Sequence, residues 1–408
     1  MVKPLTSPAA TRAGLISWPA AGALILLALS LRLIFPSLSV LLPDIMLSAG
    51  LSGATAGYIT AVPMFCLGLF APMASICIRH FGIERTLALA LFFLAVGTAA
   101  RGVLGLGGLF CGTLLAGGCI AICNVLLPVL VKRDFAAQAA LITGLYVTAM
   151  NLGSAAAAGM TIPLMQAWNV EWPTALSLWA VPTALIALIW LPYLKNRDKI
   201  IVRSHPLISI WRDRLAWHVT IYMGLQSSMA YVVLGWMAPI LRSRGLDPTT
   251  AGIVTSTCII ANLIGNLFAP ILIRRAPDQR VLSMVLALGC GVSLIFLLFA
   301  TPRWIWPLSV FIGFTQGATF ATALTIIVLR SPNTETATLL SGMAQAAGYT
   351  IGAVTPLLVG LIYHWSGSFS SVSWLLAIVT LGTSTAGWLA GQNKYVIVSS
   401  LKTERLEN

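Results

Sequence analysis

Charge is distributed along this chain so that it leaves long stretches with none. Runs free of Asp, Glu, Lys and Arg cover 45–78, 102–131, 135–170, 172–194, 215–241, 248–273, 281–302 and 304–329, and a longer run, 336–393, is enough for two crossings. About 20 apolar residues span the ~30 Å hydrocarbon core of a bilayer. Two further spans are interrupted: 13–43 contains Arg32, and 86–100 is so short that its helix must continue past Arg101. The expectation is an all-α integral membrane protein of twelve transmembrane helices. Only 9% of the 408 residues are charged, against about 25% in soluble domains. That excludes an ordinary water-soluble fold, and with it disorder and coiled coil.

The chain carries 24 Lys and Arg against 11 Asp and Glu, a formal charge of +13. Nucleic-acid binders cluster such an excess among polar residues, whereas here it sits between apolar runs. With both termini cytoplasmic, 19 of the 24 basic residues fall inside, from Lys3 and Arg12 through the loops around Arg79, Lys132, Arg203, Arg274 and Arg330 to Lys402 and Arg405. Arg101, Arg242, Arg244 and Arg303 fall outside, and Arg32 lies within the first span. This positive-inside bias accounts for the charge without nucleic acid. It predicts a multi-pass protein of the bacterial inner membrane, in contact with lipid, with an uncleaved first helix rather than a signal peptide. The seven cysteines all fall within spans without a CxxC, and read as small buried hydrophobes rather than disulfides or metal ligands. No metal or cofactor site is expected.

The longest charged segment, Lys195 to Arg214, sits at the midpoint with 194 residues on either side. Leu51-Ser-Gly-Ala-Thr55-Ala56-Gly57 after the first span matches Leu246-Asp-Pro-Thr-Thr250-Ala251-Gly252 after the seventh. Phe70-Ala71-Pro72 matches Phe268-Ala269-Pro270, and Ala139-x-Leu141-x-Thr143-Gly144 matches Ala337-x-Leu339-x-Ser341-Gly342, all at offsets of 195 to 198 residues. The chain therefore reads as a duplication: a six-helix half over 1–194, a basic linker over 195–214, a second half over 215–393 and a tail over 394–408. Two six-helix halves with the same in-out sense are the architecture of major facilitator transporters, whose substrate site lies near the midplane between the halves. A chain with both halves of its site is expected to be a monomer.

Several segments carry a closer likeness. They are Asn124-Val-Leu-Leu-Pro128 with Lys132-Arg133-Asp134-Phe135, Thr143-Gly144-Leu145-Tyr146 with Met150, Gln226-Ser227 with Tyr231, Trp236 and Pro239, and Leu340-Ser-Gly-Met-Ala-Gln345-Ala-Ala-Gly348-Tyr349 with Pro356. In these the chain resembles the cyanate/nitroimidazole transporter (CynX/NimT) family, from Arg32 to about Gly367. The resemblance implies secondary transport of small, compact solutes, often anionic or planar. It departs from the wider superfamily in the loop between spans 2 and 3. There Arg79-His80-Phe81-Gly82-Ile83-Glu84-Arg85 keeps Gly82 and Arg85 but puts Arg79 at the usual acidic position, so that cytoplasmic gate must be built differently.

Arg32 is the sharpest single feature. It lies about 14 residues into span 1, roughly 20 Å along a helix, and no Asp or Glu lies at comparable depth. An arginine there costs at least about 2.5 kcal/mol unless it faces protein or a water-filled cavity. Its fork suits a small anion; the alternative is a structural tether held by carbonyls. Tyr146, Asn151, Gln226, Tyr231, Gln316, Gln345 and Tyr349 sit at mid-depth in spans that face the cavity in this fold, and such polar and aromatic faces suit a small planar solute. Arg101, Asn124 and Trp236 are weaker candidates for substrate contact, Arg101 reading more readily as an anchor snorkelling to the outer interface. No carboxylate or histidine lies at mid-depth, so a co-transported proton would have only Asp44 or the substrate itself to ride on.

The reading is a secondary transporter of a small anionic or polar solute working by alternating access. The alternative is an exporter of neutral planar compounds with Arg32 purely structural. A membrane-embedded enzyme lacks its nucleophile–base pair or metal cluster, and a channel lacks a charged ring.

Overall fold

The structure, a computed structural model, describes residues 18–195, 207–276 and 278–397. Lys3, Arg12, Arg197, Lys199, Arg203, Lys402 and Arg405 lie outside the described residues. Within them every regular element is a helix. Eleven spans are continuous or nearly so: Trp18–Ala49, Ile83–Val103, Gly105–Asp134, Leu141–Ala167, Trp172–Leu194, Arg214–Ser243, Pro248–Arg275, Gln279–Phe299, Pro302–Leu329, Glu335–Ser366 and Phe369–Ala390. The remaining one, Gly53–Leu69 followed by Ala71–Phe81, bends by 55° at Phe70. In chain order, with the bent pair second, these are spans 1 to 12.

The repeated sequence motifs turn out to be helix starts. Ser52 Oγ accepts from the Thr55 amide at 3.2 Å and opens span 2; Asp247 accepts from the Thr250 amide at 3.0 Å and opens span 8. A side-chain acceptor at this position satisfies an amide that the first helical turn leaves unpaired. The two Phe-Ala-Pro copies behave differently. Pro72 starts a new helix after the bend in span 2, whereas Pro270 is absorbed inside span 8.

Span 2 packs on span 11, span 5 on span 8 and span 1 on span 7. At the first of these contacts the backbones nearly touch. A Cβ on Gly57 would lie 2.8 Å from the Leu357 carbonyl and 3.0 Å from Gly360 Cα, so no larger residue fits. Small residues at such crossings are what membrane helices use to approach closely.

The cysteine expectation needs one correction. All seven are unpaired and five are buried, but Cys77 is half-buried and Cys111 exposed. A thiol is apolar enough to sit on a lipid-facing surface as readily as in a core.

Candidate central site and its gates

Span 1 is interrupted in mid-membrane. Its two helices, Trp18–Ser30 and Ile34–Ala49, are separated by Leu31-Arg32-Leu33. Arg32 is half-buried there and lines a cavity of about 40 Å³ together with Asn151 of span 5, Ala230, Val233 and Leu234 of span 7, Asn262 of span 8 and Gln316 of span 10. Among the described residues it forms no hydrogen bond or ion pair. Its charge acts on the hydroxyls of Tyr231 and Tyr349, neither of which has a hydrogen-bond partner among the described residues. Tyr231 is held edge-on against Phe35, ring centroids 5.3 Å apart, and borders a second, apolar void of about 10 Å³ that shares Leu234 with the first.

The polar lining is anchored from behind. Gln316 Nε2 donates to the Gln226 carbonyl at 3.0 Å, and Cys290 Sγ donates to Gln316 Oε1 at 3.0 Å. Gln226 Nε2 donates in turn to Ser227 Oγ at 2.7 Å. Asn151 Nδ2 donates to the Val147 carbonyl one turn earlier at 3.0 Å, which leaves its oxygen for the cavity. The result is a small space facing one guanidinium and three side-chain amides, with no carboxylate among its linings. In a low-dielectric site such donors favour a compact acceptor, above all an anion.

The structure therefore brings together Arg32, Asn151 and Gln316, with Tyr231 and Tyr349 inside the field of Arg32. Gln226 is a supporting residue. Tyr146 packs half-buried against the apolar core of the first half, Gln345 donates to Ser341 Oγ at 2.8 Å on its own helix, and Asn124 is half-buried on span 4; none of the three lines the cavity.

Two of the weaker candidates are corrected. Trp236 is fully buried and its indole N–H donates to the Pro356 carbonyl at 3.1 Å, so its polar end is consumed in holding span 7 to span 11. Arg101 does not snorkel. It is completely buried, with all three guanidinium nitrogens lacking a partner, because its turn of span 3 faces spans 4 and 6 rather than lipid; its Cγ lies where a Cβ on Gly112 would be 3.0 Å away. Asn262 escaped the sequence reading. Its signal, an amide halfway along an apolar span, is the same as that of Asn151, but span 8 lies outside the set expected to face the cavity in this fold.

At the end of the bundle remote from the basic loops, Arg242 of span 7 grips both oxygens of Asp44 of span 1, at 2.6 and 2.8 Å, and also reaches the Val40 carbonyl at 3.4 Å. This pair ties span 1 to span 7 at that end.

A major facilitator superfamily model matches residues 20–355. The chain belongs to the major facilitator superfamily. It is 36% identical to an uncharacterized transporter of Bacillus subtilis (strain 168), over 92% of this chain and 94% of that one. It is 34% identical to the 2-nitroimidazole transporter of Escherichia coli (strain K12), over 91% and 95%, and 25% identical to the cyanate transport protein CynX of the same organism, over 85% and 90%. Among solved structures the fold matches a D-xylose–proton symporter at a TM-score of 0.74 and 14% identity, covering 93% of this chain and 98% of that one. This major facilitator is thus a multi-pass secondary transporter of the branch that includes the nitroimidazole and cyanate transporters.

Its loop between spans 2 and 3 has an ion pair close to the position without the acidic residue. Gly82 turns the chain with φ of +79°, which favours glycine, while Arg79 and Arg85 are exposed and carry no ion pair among the described residues. The nearby acid is Glu84, buried at the start of span 3. It takes Arg133 from the end of span 4 at 2.6 Å, and Arg133 also holds Asp134 at 2.6 Å. The second half repeats the arrangement without the acid: Arg330, at the end of span 10, donates to Gln279 at the start of span 9 and, at 3.1 Å, to the Gly391 carbonyl. The arginines are 197 residues apart and their partners 195, within the offsets of the sequence repeat.

Proposed function

We propose that this transporter moves a small, compact anion or strongly polar solute across the inner membrane by alternating access. In this reading both termini and the basic loops are cytoplasmic, and the monomer works without cofactor or nucleic acid. Arg32 is the substrate's counter-charge, Asn151, Asn262 and Gln316 orient it, and Tyr231 and Tyr349 close on it. The observation that carries the reading is an unpaired guanidinium at mid-membrane lining a cavity of about 40 Å³ with no carboxylate beside it. A tether would be expected to have carbonyl or amide partners. The names of the two Escherichia coli relatives, for cyanate and 2-nitroimidazole, support a compact or planar substrate. With no acid in the cavity, a co-transported proton would have to travel on the substrate or through Asp44.

The test is the melting temperature of the purified protein with cyanate, nitrate, formate and neutral azoles. A ligand at 100 times its Kd stabilises the folded state by about 2.7 kcal/mol. Stabilisation by an anion that is lost in Arg32→Gln and partly kept in Arg32→Lys supports the proposal. Equal stabilisation of wild type and Arg32→Gln by neutral azoles, with none by anions, would make Arg32 structural and favour an exporter of planar neutral compounds.

A further inference from the structure

The end of the bundle bridged by Asp44 and Arg242 is not flush. A cavity of about 470 Å³ opens there between spans 1, 7 and 11, more than ten times the volume of the central one. Volumes of about 300–1,000 Å³ are typical of sites for small organic ligands. One wall is aliphatic, Met46 and Leu47; the other is aromatic, Tyr363 and Phe369.

The aromatic wall is pre-organised. The Tyr363 and Phe369 rings stack at 4.2 Å and 17°, and Phe369 rests edge-on against the buried Trp236 at 5.8 Å. Arg242 lines the same cavity. Its two terminal nitrogens serve Asp44 and Val40, but Nε has no partner among the described residues, and 19% of the side chain stays open. A guanidinium has five N–H donors, so this one has capacity for a further acceptor. A fixed aromatic face, a soft thioether opposite and a part-used cation beside them match one kind of molecule, a flat ring bearing an anionic group.

We propose that this cavity is a second ligand site, distinct from that of Arg32, which takes a planar aromatic monocarboxylate. The ring lies between Tyr363 and Met46, and the carboxylate takes the open edge of Arg242. Because Asp44 holds the same guanidinium, an occupant competes for the ion pair that ties spans 1 and 7, so filling the site loosens that end of the molecule.

The experiment places a reporter cysteine at Ser243, exposed at the rim of this cavity, in a background with Cys77 and Cys111 replaced by serine. The rate of modification by an anionic methanethiosulfonate is read with benzoate or benzamide. Loss of an aromatic contact of about 1 kcal/mol is worth about five-fold in occupancy. Benzoate is expected to slow modification at least about five-fold in the parent and in Tyr363→Phe. Tyr363→Leu is expected to need about five-fold more benzoate for the same slowing. Benzoate is expected to have no effect in Leu47→Trp, which fills the mouth from an exposed position; benzamide is expected to have no effect. The slowing is expected to persist in Arg32→Gln, whatever that change does to anion binding at the centre. Absence of slowing, equal slowing by benzamide, slowing undiminished in both Tyr363→Leu and Leu47→Trp, or slowing abolished by Arg32→Gln would each overturn the second site.

Discussion

Asp44 and Arg242 meet in a two-pronged ion pair that joins the end of span 1 to the end of span 7, Nη1 to Oδ2 at 2.6 Å and Nη2 to Oδ1 at 2.8 Å. Both side chains keep some exposure, 19% and 31%. The pair is therefore cheap enough to break during a transport cycle, since exposed pairs contribute about 0.2–1 kcal/mol.

Removing that pair should shift the balance toward the form open at this end. In Asp44→Asn, a cysteine at Leu234, which borders both central voids, is expected to react about two- to five-fold faster with a charged thiol reagent supplied from that end, as loss of up to ~1 kcal/mol implies. Exchanging the charges, Asp44→Arg with Arg242→Asp, should restore the slow rate. An unchanged rate in Asp44→Asn would show that the pair does not hold the end shut.

The two unpaired phenols should matter for binding and not for folding. Tyr231→Phe and Tyr349→Phe each remove a hydroxyl with no hydrogen-bond partner among the described residues. Melting without ligand should stay close to wild type, while anion-dependent stabilisation weakens by the ~1–3 kcal/mol expected of a charge-assisted hydrogen bond. A lowered melting point without ligand would mean the hydroxyls have structural partners instead.

The membrane class, the twelve spans and the mid-membrane Arg32 were legible in the sequence because charge in hydrocarbon is costly and its spacing is visible. Depth was legible as well, so Asn151 and Gln316 could be singled out. Rotation about a helix axis was not. Arg101 and Trp236, nearer the ends of their spans, were weaker candidates on depth alone, yet what removes them is that one faces spans 4 and 6 and the other spends its N–H on Pro356. Nor could the sequence show that Gln226 would hold Gln316 rather than face the cavity. Such distinctions depend on which neighbour each turn meets.

The repeated arrangement at the basic end allows a direct comparison of an acid with its amide. Burial pulls the Arg330 guanidinium below the usual arginine range, and its neighbour is Gln279 where the first half has Glu84. Gln279→Glu should raise the melting temperature by supplying the counter-charge. Glu84→Gln should lower it, since removing one partner of a buried pair costs up to about 3–5 kcal/mol, less here because Arg133 keeps Asp134. Opposite signs in the two variants are the expected result, read by thermal melting in one detergent.

The glycine contact between spans 2 and 11 should be intolerant of bulk. Gly57→Val puts carbon into the space held by the Leu357 carbonyl and Gly360. The ends of these spans are expected to part, giving the same faster labelling at Leu234→Cys as Asp44→Asn. Slower labelling would mean that this contact does not open when the end does.

That same contact has a kinetic meaning. Where backbone meets backbone there are no rotamers to be frozen on closing or released on opening, and no interlocking side chains to be withdrawn one at a time. The seam between Gly57 and Gly360 can part and re-form as a smooth surface. The charged contact beside it is different: parting Asp44 from Arg242 would require two ions to be solvated, a step the glycine seam does not share.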